Sequence, residues 1–97
     1  MNGTYSVSLH TPFGTHKGSV TFVDENGILS GSIRTMGTTS FFKNGKIIGN
    51  SFEFSGILNT GFFKIRYNAK GSIDGNILKA VGMTNSGTFQ INGTQMT

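Results

Sequence analysis

The chain has 97 residues, of which 35% are hydrophobic and only 12% are charged. This length suits one domain, residues 1–97, and leaves no room for a second. So low a charged fraction excludes intrinsic disorder, and the absence of cysteine excludes disulfides and thiolate metal sites. The net charge of +4 comes from scattered side chains, of which Lys64, Arg66 and Lys70 are the densest group, so no nucleic-acid surface is predicted.

The first residues, MNGTYSVSLH, contain no basic start, no apolar run and no small-residue cleavage site, so no signal peptide is predicted. No apolar stretch approaches the roughly 20 residues that a transmembrane helix needs. We therefore expect a cytoplasmic protein without a membrane partner.

Turn-forming residues recur roughly every 8 to 12 residues, with no helical period between them. They form seven internal turns, which in chain order are Thr11-Pro12-Phe13-Gly14, Asn26-Gly27, Met36-Gly37, Gly49-Asn50, Asn59-Thr60-Gly61, Asp74-Gly75 and Asn85-Ser86-Gly87. Seven turns predict eight antiparallel strands in an all-β meander.

The segments between the turns alternate apolar and polar side chains with the two-residue period of a half-buried strand. The first strand is a clear example, because Tyr5, Val7 and Leu9 alternate with polar residues. The alternation of the sixth strand is the cleanest in the chain, and it predicts four inward side chains: Phe63, Ile65, Tyr67 and Ala69.

Asn44-Gly45 interrupts the fourth strand, which begins near Thr38 and runs to Ile47. The three residues that follow the interruption are too few for a separate strand of this meander. We therefore interpret Asn44-Gly45 as a β-bulge.

The turn at Asn26-Gly27-Ile28-Leu29 is matched by Asp74-Gly75-Asn76-Ile77-Leu78, so the chain divides into two four-stranded halves. Eight antiparallel strands that close have no exposed edge, and their interior is either just filled or holds one small ligand. We therefore predict an eight-stranded antiparallel up-and-down meander barrel. A two-sheet sandwich stays open, because the repeated glycines suit the corners of either architecture.

In a meander, the first, third, fifth and seventh turns lie at the same end of the sheet. Three of these four turns carry a large apolar side chain, Phe13, Met36 and Phe62, whereas the turns of the other end are small and polar. Clustered apolar side chains at a surface are typical of interaction sites. These residues either fold inward and cap the barrel or form the mouth of a ligand site, and the sequence favours neither.

The residues predict no catalytic site, no metal and no cofactor. His10 and His16 flank the first turn and are close enough in sequence to meet across the hairpin, but the acids Asp24 and Glu25 lie at the far end of strand two. A metal site needs a third or fourth ligand, so an exposed, unrelated pair is favoured. No Gly-x-Ser-x-Gly motif and no glycine-rich phosphate loop is present.

Tyr5 and Tyr67 stand on the inward faces of their strands. There each hydroxyl either orients a ligand in a mostly apolar cavity or belongs to a core residue that reaches solvent or backbone.

The order of turns and core residues resembles a family of small bacterial β-barrel domains of unassigned function. Four motifs carry the resemblance: Thr11-Pro12-Phe13-Gly14, Asn26-Gly27-Ile28-Leu29-Ser30-Gly31, Gly45-Lys46-Ile47-Ile48-Gly49-Asn50-Ser51-Phe52-Glu53-Phe54 and Gly71-Ser72-Ile73-Asp74-Gly75-Asn76-Ile77. One departure is Asn59-Thr60-Gly61-Phe62, which lacks the second proline that the repeat leads one to expect. The resemblance implies a calycin-like barrel, similar in outline to lipocalins and streptavidin, and implies no catalytic residue.

We therefore expect a non-enzymatic binding module that takes a small apolar or aromatic molecule at the barrel mouth. The candidate ligand-binding residues are Phe13, Met36, Phe62, Tyr5 and Tyr67. One alternative is a structural protein with a filled interior that self-associates as a homo-oligomer. A weaker alternative is an enzyme or accessory subunit that uses tyrosine and arginine groups in the cavity. A filled interior would exclude both the binding module and the enzyme.

Overall fold

A computed structural model describes all residues except 12–13, 60–62 and 97. The described chain forms eight β-strands and no helix. The strands are β1 (Gly3–Thr11), β2 (Gly14–Glu25), β3 (Ile28–Thr35), β4 (Thr38–Ile48), β5 (Ser51–Asn59), β6 (Lys64–Asp74), β7 (Ile77–Thr84) and β8 (Gly87–Gln95).

Each strand pairs antiparallel with the next, and β8 pairs with β1, so that the sheet closes into a barrel. The closing ladder runs from Tyr5 opposite Gln95 to His10 opposite Gln90. Closure confirms the predicted up-and-down meander and excludes the sandwich. It also removes the unpaired strand edges through which β-proteins aggregate.

The interruption of β4 is a bulge, as predicted. Asn44 adopts a φ of 60°, and the register of β4 against β5 shifts between Phe42 and Lys46. Asparagine tolerates this left-handed conformation better than most residues, because its short polar side chain bonds locally. The bulge keeps Phe42 and Ile47 on the inner side of the barrel although they are an odd number of residues apart.

The two ends of the barrel differ, and we name them by what they contain. The packed end carries the tight turns between β2 and β3, β4 and β5, and β6 and β7. The mouth end carries the turn between β3 and β4, the turn between β7 and β8, and the starts of β2 and β6.

An aromatic cluster fills the packed end. The ring centroid of Phe22 lies 5.7 Å from that of Tyr5, 5.1 Å from that of Phe52, and 6.1 Å from those of Phe42 and Phe54. All five residues are at most 5% exposed. Because Phe22 lies three residues before the end of β2 and Phe52 is the second residue of β5, the cluster belongs to this end.

The outer rim of the packed end is less polar than its turns suggest. Three isoleucines flank the tight turns and are largely exposed: Ile28 by 56%, Ile48 by 77% and Ile77 by 49%. The sequence-based contrast between an apolar and a polar rim therefore does not extend to the strand residues beside the tight turns.

Replacing Phe22 by alanine should lower the free energy of unfolding by about 3 to 5 kcal/mol, because it removes the ring that the other four contact. Phe41→Ala is the matched control, since Phe41 points outward and is 78% exposed. That variant should change the free energy by less than about 0.5 kcal/mol. Denaturant unfolding followed by circular dichroism measures both, and equal losses would contradict the assigned facing of β2 and β4.

Candidate functional site: a cavity at the mouth end

A cavity of about 340 Å³ lies inside the mouth end of the barrel. This volume falls within the range of small-molecule sites in proteins. Its described lining residues are mainly apolar and include neither an acid nor a lysine nor an arginine: Leu9, Thr11, His16, Met36, Leu58, Phe63, Ile65, Tyr67, Thr84, Ser86, Gly87, Thr88 and Phe89. The interior is therefore packed at one end and hollow at the other.

Two aromatic rings of the cavity wall lie over glycines of the neighbouring strand. Gly82 is opposite Phe89, and a Cβ atom at position 82 would stand 2.2 Å from the Phe89 ring. Gly56 is opposite Tyr67, and a Cβ atom there would stand 2.9 Å from the Tyr67 hydroxyl. Because the glycines let these rings rest against the sheet, the rings do not fill the centre of the barrel, and the cavity stays open.

Tyr67 carries an unsatisfied polar group in this wall. The residue is 3% exposed, and its hydroxyl is buried without a hydrogen-bond partner among the described residues. Its ring meets that of Phe54 edge to face at 5.9 Å. Burial raises the pKa of the Tyr67 hydroxyl, so the group stays protonated at physiological pH and is a hydrogen-bond donor in the cavity wall.

The other candidate tyrosine lies deeper. Tyr5 is buried against Phe22 in the aromatic cluster and is not among the described residues that line the cavity. Burial also raises the pKa of the Tyr5 hydroxyl. The structure thus places Tyr67 in the cavity wall and Tyr5 in the packed core.

The two histidines lie on opposite faces of the barrel wall and are unrelated, as predicted, although only His10 is exposed and His16 is half-buried. His16 is opposite the buried Leu9 and lines the cavity. His10 is exposed, and its Nδ1 lies 3.2 Å from the Thr15 hydroxyl. No group of three or more histidine and acidic side chains suited to a metal is found in the described chain.

His16 is a lining residue that sequence reasoning missed. It lies an even number of residues before Val20 and Phe22, which are buried inside the barrel. Extending that alternation towards the turn would have placed its imidazole inside the barrel.

Phe63 was predicted to point into the barrel, and this prediction is wrong. It stands one residue before β6 begins and is 72% exposed, although it contributes to the lip of the cavity. The period-two pattern therefore holds for Ile65, Tyr67 and Ala69 but ends at the rim, where the strand ends.

Of the three apolar turn residues, Met36 is described, whereas Phe13 and Phe62 lie outside the described residues. Met36 lines the cavity and is 38% exposed. Its φ is 54° and that of Gly37 is 75°, the conformation of a tight hairpin turn that favours Asn-Gly. Methionine is rare in this left-handed region, and backbone strain of this kind is often found at functional sites.

The first residues of β6 extend beyond the end of β7 beside the cavity. Pairing between β6 and β7 begins at Asn68 opposite Met83, although β6 starts at Lys64. On the outer face beside this start of β6, unpaired with β7, lies a hollow of about 600 Å³. Tyr67 and Thr84 line both the hollow and the cavity, so they form the wall between them.

Two of the hydroxyls that line the cavity hold the turns of the mouth end. Thr11 Oγ1 donates to the Gly14 carbonyl at 2.8 Å, and Thr84 Oγ1 donates to the Gly87 carbonyl at 2.9 Å. These bonds hold the turns. The other described polar side chains of the lining are His16, Tyr67, Ser86 and Thr88, and of these the Tyr67 hydroxyl is buried without a partner among the described residues.

Comparison of the chain with protein-family models, with curated proteins and with solved structures gives no match. Within the described residues, no helix has the length and apolar character needed to cross a membrane. The candidate site therefore rests on the geometry of the cavity.

The two tyrosines, which are the only ones in the chain, should ionise together with unfolding at alkaline pH. Burial raises the pKa of both above the ordinary 10.0, so the folded state holds its protons more tightly than the unfolded state. Stability should be fully present below pH 10.0 and should fall as the pH rises above it. Tyrosinate absorbance and circular dichroism, followed on one sample, should change together. A tyrosine that ionises normally while the β-sheet signal persists would contradict this burial.

Proposed function

We propose that this protein is a non-enzymatic binding module that takes a small apolar or aromatic molecule into the mouth-end cavity. The observation that carries the proposal is the uneven filling of the barrel, with an aromatic core at one end and about 340 Å³ of space at the other. Ligand pockets of this kind combine mainly apolar walls with a few polar groups that orient the ligand. His16 and Tyr67 would be those groups.

The wider resemblance concerns the fold of the proposed module. The closed eight-stranded meander is consistent with a calycin-like fold, and the turn motifs resemble those of small bacterial β-barrel domains. We assign the protein to that class and to the cytoplasm as part of the proposal. Among the described lining residues one imidazole and no carboxylate occurs, a poor set for acid–base catalysis.

Filling the cavity should abolish binding. Ile65 is half-buried in the cavity wall, and Ile65→Trp would occupy part of the space. We expect the affinity for N-phenyl-1-naphthylamine, a neutral apolar dye, to fall by about tenfold or more, the equivalent of about 1.4 kcal/mol. Fluorescence enhancement on titration measures it.

The matched control is Val81→Trp on β7, because Val81 is on the outer face and is 42% exposed. It should leave dye binding at the parental value. No uptake by the parent protein, or equal binding by the parent and both variants, would refute the proposed site.

The strained turn provides a second test. Met36→Asn should raise the free energy of unfolding by about 0.5 to 1 kcal/mol, because asparagine tolerates the left-handed conformation of this turn. The same change removes a side chain from the cavity lining, so it should weaken dye binding. The reciprocal control is Asn26→Met in the equivalent turn of the packed end, where φ is 56°. That variant should lower stability and leave dye affinity unchanged. Thermal unfolding and dye titration of both variants check the pair, and unchanged binding in Met36→Asn would remove Met36 from the site.

The alternative, a self-associating barrel, has support at the opposite end of the molecule. Ile28, Ile48 and Ile77 are exposed there in one rim, and apolar patches of this kind often mark contacts between copies. Light scattering distinguishes the two functions. A dimer that Ile48→Ser dissociates, together with no dye uptake, would favour self-association.

A further inference from the structure

The acidic and the basic side chains of this chain are distributed differently along the barrel axis. All four acids lie towards the packed end: Asp24, Glu25, Glu53 and Asp74. Three of them stand at strand ends beside the tight turns, and Glu53 is the third residue of β5. The mouth half of the barrel therefore carries no carboxylate side chain to balance its cations.

Four of the eight cationic residues lie in the mouth half: Lys17, Arg34, Lys64 and Arg66. Each is one or two residues from a lining residue, and each is exposed. None of the four forms an ion pair among the described residues. By contrast, Lys70 is nearer the packed end, and its Nζ lies 3.8 Å from Glu53 Oε2. A rim of one charge sign attracts ligands of the opposite sign and raises their association rate.

Lys64 and Arg66 lie in the start of β6, before its pairing with β7 begins at Asn68. Lys64 is the first residue of β6, beside Phe63 at the lip of the cavity. Arg66 lines the outer hollow together with Tyr67 and Thr84, which also line the cavity. A ligand in the cavity would thus have two cations next to its exposed end.

The cavity itself is unsuited to a charge. Its described lining includes neither an acid nor a lysine nor an arginine, and burying an ionised group without a partner is costly. The cavity interior favours an uncharged apolar chain or ring, and the rim favours an anion. One molecule satisfies both if its charge is at one end.

We propose that the ligand is an anionic amphiphile, with its apolar body in the cavity and its carboxylate, sulfonate or phosphate head at the rim beside Lys64 and Arg66. This inference rests on the proposed binding function and specifies the class of ligand. Lysine and arginine reach such a head on long stems while the charged groups stay in water. Arginine in addition binds carboxylate and phosphate through two parallel hydrogen bonds.

Three probes with the same tail and different heads test the inference: decanoate, 1-decanol and decyltrimethylammonium. Decanoate and decyltrimethylammonium are used below their micelle concentrations and decanol below its solubility limit, to displace bound N-phenyl-1-naphthylamine at a pH where decanoate is ionised. Decanoate should bind about tenfold more tightly than decanol, and the cation should bind most weakly. The preference for decanoate should shrink as salt is added.

The double variant Lys64→Gln/Arg66→Gln should remove this preference for decanoate and leave decanol unaffected. The matched control, Lys46→Gln/Lys79→Gln, loses the same net charge near the packed end. It should keep the preference. If both double variants weaken decanoate equally, the overall charge is responsible and the rim site is refuted.

The remaining outcomes separate the two proposals. Equal affinity for decanoate and decanol would overturn the anionic head but leave the binding module standing. Failure of the dye and of all three probes to bind would refute the binding module itself. Binding to phosphatidylglycerol vesicles without binding of monomeric decanoate would overturn the amphiphile in favour of a membrane surface.

Discussion

The packing of aromatic rings inside a closed barrel is the constraint on which the rest of this structure depends. Eight strands enclose a volume that the side chains must fill or leave empty. Around Phe22 the rings meet one another across the axis and fill it. Towards the mouth, Tyr67 and Phe89 rest on glycines of the adjacent strands and leave the axis free. The packed end therefore stabilises the fold, and the mouth end contains the cavity.

Much of the fold was predictable because its determinants are local. Turn residues and two-residue alternation identify strands, and Asn44-Gly45 identified the bulge without any knowledge of its partners. The cavity was not predictable, because it depends on which glycine faces which ring across strands. The pairing of Gly82 with Phe89 requires the register of the β7–β8 hairpin. Phe63 was misplaced because a strand pattern does not show where pairing stops.

The charge distribution shows the same difference between sequence and fold. Along the chain, cations and acids are scattered and predict no surface. The meander brings Asp24 and Asp74 to one end, and it brings Lys64 to the other. Because successive strands reverse direction, the end of the barrel at which a charged residue lies is set by the turn nearest to it along the chain. The meander thus turns a scattered composition into an excess of cations at the mouth end, where the described cavity lining includes neither an acid nor a lysine nor an arginine.

The most direct test of the account is to locate a bound molecule in the barrel by two-dimensional NMR. The account predicts that N-phenyl-1-naphthylamine shifts the resonances of Leu9, Leu58 and Ile65 at the mouth, while those of Phe22 and Phe52 in the packed core remain in place. Shifts confined to the packed end or to the outer face would contradict the division of the interior into a packed end and a binding end.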